Sequence, residues 1–182
     1  MADVRGADWY GEDLSGREYT GTLFSGVDFS EVTDHGAVFT DCTFHDCRFN
    51  VSRHTEAAFL TCTFSGCSFF EAEFDRCKLV GSRFDRCSFG LITISGGDWS
   101  FVDLAGADLT KARITGARCT GAGLRDVDLS GAELSGADLS GADLRGSDLS
   151  ALDPGQVELR GATVDLAQAV VLVTALGLRV QP

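Results

Sequence analysis

Ala137-Asp138-Leu139-Ser140-Gly141-Ala142-Asp143-Leu144-Arg145-Gly146 is one five-residue unit written twice: small, acidic, large apolar, polar, glycine. Stepping outward from Leu139 and Leu144 by fives keeps the same register in both directions. Toward the C-terminus the apolar column continues through Leu149, Pro154, Leu159 and Val164. Toward the N-terminus it runs through Leu134, Leu129, Leu124, Cys119, Ile114, Leu109, Leu104, Trp99 and Ile94 into a phenylalanine-rich stretch, and it ends at Val4. Only Asp34, His54, Cys119 and Pro154 in this central column are not large and apolar.

The flanking columns are as regular. Two residues before the centre the side chains are small or compact, as in Ala37, Ala57, Ala72, Ala107, Ala112 and Ala132, with Cys42, Cys47, Cys62, Cys67, Cys77 and Cys87 in the same column. Two residues after the centre glycine recurs, from Gly6, Gly11 and Gly16 to Gly136, Gly141 and Gly146. Neither a helix nor a strand repeats every five residues. A chain that turns a corner every five residues does, with one large and one small side chain inward and three residues outward. Ser, Asp and Gly supply the turn chemistry at each corner. Coils of this kind stack by backbone hydrogen bonds at roughly 4.8 Å each.

Composition bounds the function. The 182 residues suit one domain, and the formal net charge is -12. Phosphate contacts need Lys and Arg, so direct nucleic-acid binding is not expected. Docking on an anionic membrane is not expected either; a cationic partner is. The N-terminus, with Asp3 and Asp8, does not read as a secretory signal, and the longest apolar run, Leu166 to Leu176, is too short to span a bilayer. These features predict a soluble, cytoplasmic protein with reduced thiols. No nucleophile–base pair, phosphate loop or metal set stands out, so neither enzymatic activity nor a cofactor is expected.

The runs Ala137–Gly141 and Ala142–Gly146 resemble the A-(D/N)-(L/F)-(S/T)-X signature of pentapeptide-repeat proteins, and the likeness extends to about Val164. It implies an all-β fold, a right-handed quadrilateral β-helix with four pentapeptides per coil. On that basis residues 1–164 form roughly eight coils, a rod about 40 Å long, and residues 165–182 form a short C-terminal α-helix and tail. Size, acidity and the tail Val164 to Val170 are similar to the mycobacterial fluoroquinolone-resistance members of the family. No insertion interrupts the repeat, as in its loopless members. That group binds DNA gyrase, and the resemblance implies gyrase as the partner here. Fold alone does not assign function, so a scaffold or immunity protein acting on another partner stays open.

With twenty residues per coil, residues twenty apart share a side. Leu14, Asp34, His54, Phe74, Ile94, Ile114, Leu134 and Pro154 fall on one side, which makes Asp34 and His54 stacked neighbours. They read either as a site or as a buried pair that satisfies itself. Cys42, Cys47, Cys62 and Cys67 could supply four thiols to a metal, but zinc ligands usually converge from two to four residues apart. Compact inward side chains account for them as well. His35 and His45 fall just after central positions and are expected to face solvent.

The acidic column before the centre carries the functional reading. Asp108, Asp128 and Asp148 form one vertical file; Asp103 and Asp143 lie on a neighbouring side, and Asp98, Asp138 and Glu158 on another. With Glu133 these residues make up the candidate gyrase-binding surface. They read as ordinary solubility charge or as a mimic of the DNA backbone. Twelve net charges over about 40 Å is one per roughly 3 Å, about half the duplex density of one per 1.7 Å. The last coil needs a cap. Asp165 followed by Gln168 reads as a helix N-cap with its capping-box partner, and Gly177 as the stop. The helix is apolar beyond one stripe, so Leu166, Ala169, Val170, Val173 and Leu176 are expected to pair with a second copy in a homodimer.

Overall fold

The computed structural model describes residues 2–181. Met1 and Pro182, the outer bounds of the two expected segments, lie outside the described residues. The chain winds into a parallel β-solenoid whose every pairing joins residues twenty apart, from Asp3↔Leu23 to Asp143↔Thr163. Three of the four faces carry short strands. Face I stacks Asp3–Arg5, Leu23–Ser25, Thr43–His45, Thr63–Ser65 and Arg83–Asp85. Face III stacks Thr33–His35, Arg53–Thr55, Glu73–Asp75, Thr93–Ser95 and Arg113–Thr115, and face IV stacks Glu18–Thr20, Val38–Thr40 and Ala58–Leu60. Face II, centred on Trp9, Phe29, Phe49, Phe69, Phe89, Leu109, Leu129 and Leu149, is held by single bridges such as Asp28↔Arg48 and Asp108↔Asp128.

The repeat explains the core. Central side chains of one face lie directly over each other: Phe44 stacks on Phe64 at 4.6 Å and Phe64 on Phe84 at 4.7 Å. On face II, Phe29 stacks on Phe49 at 4.6 Å. These separations match the spacing of paired strands. Across the axis, rings of adjacent faces meet edge to face, as Phe24 meets Phe29 at 5.6 Å and 72°, the arrangement the ring quadrupole favours. Beyond Phe89 the column turns to leucine. The thinner side chains leave a closed apolar void of about 20 Å³ between Ile94 and Leu139.

Corners form when the residue two after the centre takes a positive φ, as Gly131 does at 67° and Gly141 at 69°. The centre carbonyl then accepts from the residue three on, Leu129 O from Ala132 N at 2.9 Å, closing a type II turn. Gly97 answers a different demand. A Cβ there would lie 2.2 Å from the Cys77 carbonyl oxygen, so only glycine lets this coil close onto the one beneath.

Both ends are finished by polar groups. In the first coil the column that is small elsewhere holds Glu12 and Arg17, which are exposed and paired at 3.8 Å. At the other end Leu166–Ala175 forms the helix. The Asp165 carboxylate accepts from Gln168 N at 2.9 Å while Asp165 N donates to Gln168 Oε1 at 2.8 Å, the expected capping box. Gln168 is buried and donates through Nε2 to Ser147 O, which has no further coil to pair with, and to Leu144 O, which also accepts the corner bond from Ser147 N. Gly177 N donates to Thr174 O and Leu178 N to Val173 O, a Schellman ending with Gly177 at φ 82°. Among the described residues no helix is long and apolar enough to cross a membrane.

Candidate functional site

Every residue of the predicted acidic surface sits one place before a centre, where the side chain points out. The backbone fixes each carboxylate in turn. Asp108, Asp128 and Asp148 accept from the N–H groups of Thr110, Ser130 and Ser150 at 3.0, 2.9 and 2.8 Å. This turn locks the side chain against the coil. Threonine 110 hydrogen bonding lowers the Asp108 carboxyl below the usual carboxylate range, and the Ser150 backbone N–H does the same for Asp148. Both are ionised at neutral pH.

Ion pairing then divides the nine acids. Asp98 faces Arg118 at 3.6 Å, Asp103 faces Arg83 at 3.3 Å, and Glu133 faces Arg113 at 3.3 Å. Asp143 meets Arg145 at 2.6 Å and Arg125 at 3.7 Å, and Glu158 meets Arg160 at 4.0 Å. Asp138 forms no ion pair within 4 Å; its carboxylate accepts from Thr120 Oγ1 and Ser140 N. That leaves Asp108, Asp128 and Asp148, one above another on face II, as the file that no basic side chain neutralises among the described residues. The column of acids by itself cannot separate these three, because the separation is made by arginines elsewhere: Arg118, Arg83 and Arg113 one coil away in the same columns, and Arg145 and Arg160 two residues on in the same coil. Asp126, on the corner beside this file, escapes the column reading because it occupies a glycine position, at φ 57°.

The other sequence candidates resolve without a site. Asp34 and His54 are stacked, with His54 Nδ1 2.5 Å from Asp34 Oδ2 and Nε2 3.0 Å from Ser52 Oγ. The trio copies the order of a catalytic triad, yet both ionisable side chains are at most 1% exposed, so no substrate reaches them. Six of the seven cysteines fill the small inward column, their thiols turned to carbonyls of their own and the preceding coil, as Cys62 Sγ is to Phe39 O, and Cys119 takes a central position. Burial pushes the Cys77 and Cys119 thiols up to about 12. His35 and His45 face solvent as expected.

Of the candidate dimer residues, Leu166, Val170 and Leu176 are exposed, Leu166 at 84%. Ala169 and Val173 are half-buried, because the helix turns Gln168 and Leu172 toward the last coil. Val171, absent from the predicted arc, is exposed beside Val170. Alanine and valine at helical spacing cannot tell the covered stripe from the open one; the buried glutamine sets the rotation.

Family descriptions for pentapeptide repeats match residues 37–114 (pentapeptide repeat region) and residues 112–150 (pentapeptide repeats, eight copies). Among solved structures, the chain is similar to a trypsin-treated form of QnrB1, a plasmid-mediated fluoroquinolone resistance protein. The identity is 25%, the alignment covers 100% of this chain and 98% of the other, and the TM-score is 0.56. It also shares the fold of HetL, a pentapeptide repeat protein involved in heterocyst differentiation regulation in the cyanobacterium Nostoc sp. strain PCC 7120. Here the identity is 20%, the coverage 90% and 84%, and the TM-score 0.54. No curated protein sequence matches.

Proposed function

Since the chain belongs to the pentapeptide-repeat family, we propose that it is a DNA mimic that binds DNA gyrase, inhibits it and shields it from fluoroquinolones or other gyrase poisons. The observation that carries the reading is the unneutralised file Asp108, Asp128 and Asp148, fixed at coil spacing on one face. A groove built to hold duplex DNA is lined with cations that release counterions on binding phosphate. A rigid column of carboxylates offers them the same chemistry with no ordering of side chains left to do. The likeness to a fluoroquinolone resistance protein over the whole chain supports gyrase as the enzyme concerned. The rod acts by occupancy, which needs neither cofactor nor catalytic group, and its place of action is the cytoplasm, where gyrase works.

The exposed stripe Leu166, Val170 and Leu176 supports the second part of the proposal, a tail-to-tail homodimer. Pairing the helices sets two acidic files either side of the junction, near the centre of one long rod. The test is supercoiling by purified gyrase with increasing protein, with and without a quinolone. The expected result is progressive inhibition and less drug-stabilised cleavage. No effect on either, with recovery of a partner other than a topoisomerase from a bacterial lysate, would instead favour a scaffold or immunity role.

A further inference from the structure

The corner between faces II and III differs from the other three. Its positive-φ position holds Glu31, Val51, Glu71, Leu91 and Lys111 in five successive coils, at φ from 54° to 60°. The other corners return to glycine after at most two coils: Asp41 and Thr61 are followed by Gly81, Glu56 and Arg76 by Gly96, and Asp46 by Gly66. A β-branched valine and a leucine are poor residues for this conformation. Glycine serves the fold better there, and this chain uses it at the same corner in Gly11 and Gly131. Strain kept along one edge, when the remedy is used on either side of it, points to a use for the side chains.

Two of those side chains, Val51 and Leu91, are apolar, and Leu91 opens to solvent beside Phe70. Leu91 is 46% exposed and Phe70 45%. Phe70 stands where this chain puts serine or threonine at Ser30, Thr110 and Ser130. Its ring lies over Gly90 of the next coil, 3.1 Å from where a Cβ would be, so Phe70, Gly90 and Leu91 make one continuous surface. Glu31 and Glu71 flank Val51, and Leu91 lies between Glu71 and Lys111; among the described residues neither glutamate forms an ion pair within 4 Å. The backbone opens at the same place. Phe69 N and Glu71 N donate to Ser88 O and Gly90 O, whereas among the described residues Phe89 N and Leu91 N have no such bond to the coil beyond.

We propose that this ridge, Val51, Phe70 and Leu91 with the carboxylates of Glu31 and Glu71 on either side of Val51, is a second contact for the protein that takes the acidic file. It rests on the function proposed above. The ridge runs along the edge of face II, the face that carries Asp108, Asp128 and Asp148 farther along the rod. One partner lying against face II therefore meets apolar surface toward the N-terminal half and bare carboxylates toward the C-terminal half. The partner's matching wall presents an apolar strip bordered by cations. The file supplies salt-dependent attraction that any DNA-binding groove could answer, and the ridge selects which groove.

The test uses the full chain with Phe70→Ser and Leu91→Gly combined. Both changes restore residues that this chain uses at equivalent positions, so the thermal midpoint is expected to stay or rise. Affinity for the gyrase holoenzyme is expected to fall at least tenfold, with the dependence of binding on salt unchanged. Asp108→Asn, Asp128→Asn and Asp148→Asn together should instead flatten the salt dependence. Unchanged affinity in the ridge variant, with the acidic variant impaired, overturns the ridge and leaves the mimic standing. Unchanged affinity in both overturns both. Sedimentation provides a separate check: if the ridge variant turns a dimer into a monomer, the occupant is a second copy and the proposal is wrong.

Discussion

Ser52 Oγ donates to Phe49 O at 2.8 Å and so must accept from His54 Nε2, which therefore carries a hydrogen. One further proton lies between His54 Nδ1 and Asp34 Oδ2. The pair is thus neutral as a unit, and the His54 ring stacks on Phe74 at 4.8 Å. Asp34 Oδ1 has no partner among the described residues, so the cluster is not fully satisfied. Breaking a buried pair by removing one member typically costs about 3–5 kcal/mol, whereas replacing both by packed apolar groups is often neutral or stabilising. Asp34→Ala is accordingly expected to lower the unfolding free energy by that order, and Asp34→Leu with His54→Phe to restore or exceed the original stability. Equal losses from the single and double variants would show that the pair is worth more than the apolar column it interrupts. The stacking of Asp34 on His54 follows from their numbers, twenty apart. Ser52 as third member does not, because nothing in the repeat says that a serine in the small column reaches the next centre.

At the scale of elements, the period of five carries the corner at every fifth residue and the inward and outward sets, while four faces to a coil come from the family resemblance. It does so because each column answers one steric requirement, a large side chain at the centre, a small one beside it, a positive φ at the corner. The capping box was equally legible, since Asp165 and Gln168 act through local backbone groups. What the helix covers was not, because that depends on which carbonyls the last coil leaves bare. Gln168 turns inward to serve Ser147 O, and reaches Leu144 O as well. The cap also gives the end of the rod a pH dependence. The Gln168 backbone N–H holds the Asp165 carboxyl below its ordinary value. A depressed carboxylate contributes stability above the unfolded value, about 3.9, and loses it as pH falls through the folded value. Amide exchange in Leu166–Ala175 should therefore quicken below about pH 4 while face I stays protected. Protection of the helix that is flat to pH 2 would contradict the assigned cap.

For the whole molecule, net charge indicated the sign of the partner but not where it lands. The acids are spread over the rod, and arginine pairing leaves Asp108, Asp128 and Asp148 on face II as a whole file without an ion pair among the described residues. Ion pairs between exposed groups contribute little to stability, so their consequence here is one of pattern: they mute the other faces. The dimer belongs to this scale too. Leu166→Asp with Val170→Asp should yield a monomer by sedimentation with the solenoid intact, because neither side chain enters the core; a persisting dimer would move the junction elsewhere. The most direct test of the account is the affinity of DNA gyrase for the chain carrying Asp108→Asn, Asp128→Asn and Asp148→Asn, measured over a range of salt beside the unaltered protein. Asparagine keeps the turn and removes the charge. The account predicts binding weakened at least tenfold at low salt, a slope against salt reduced by up to three charges' worth, and loss of competition with DNA. Unchanged affinity and slope, with the fold and dimer intact, would contradict it.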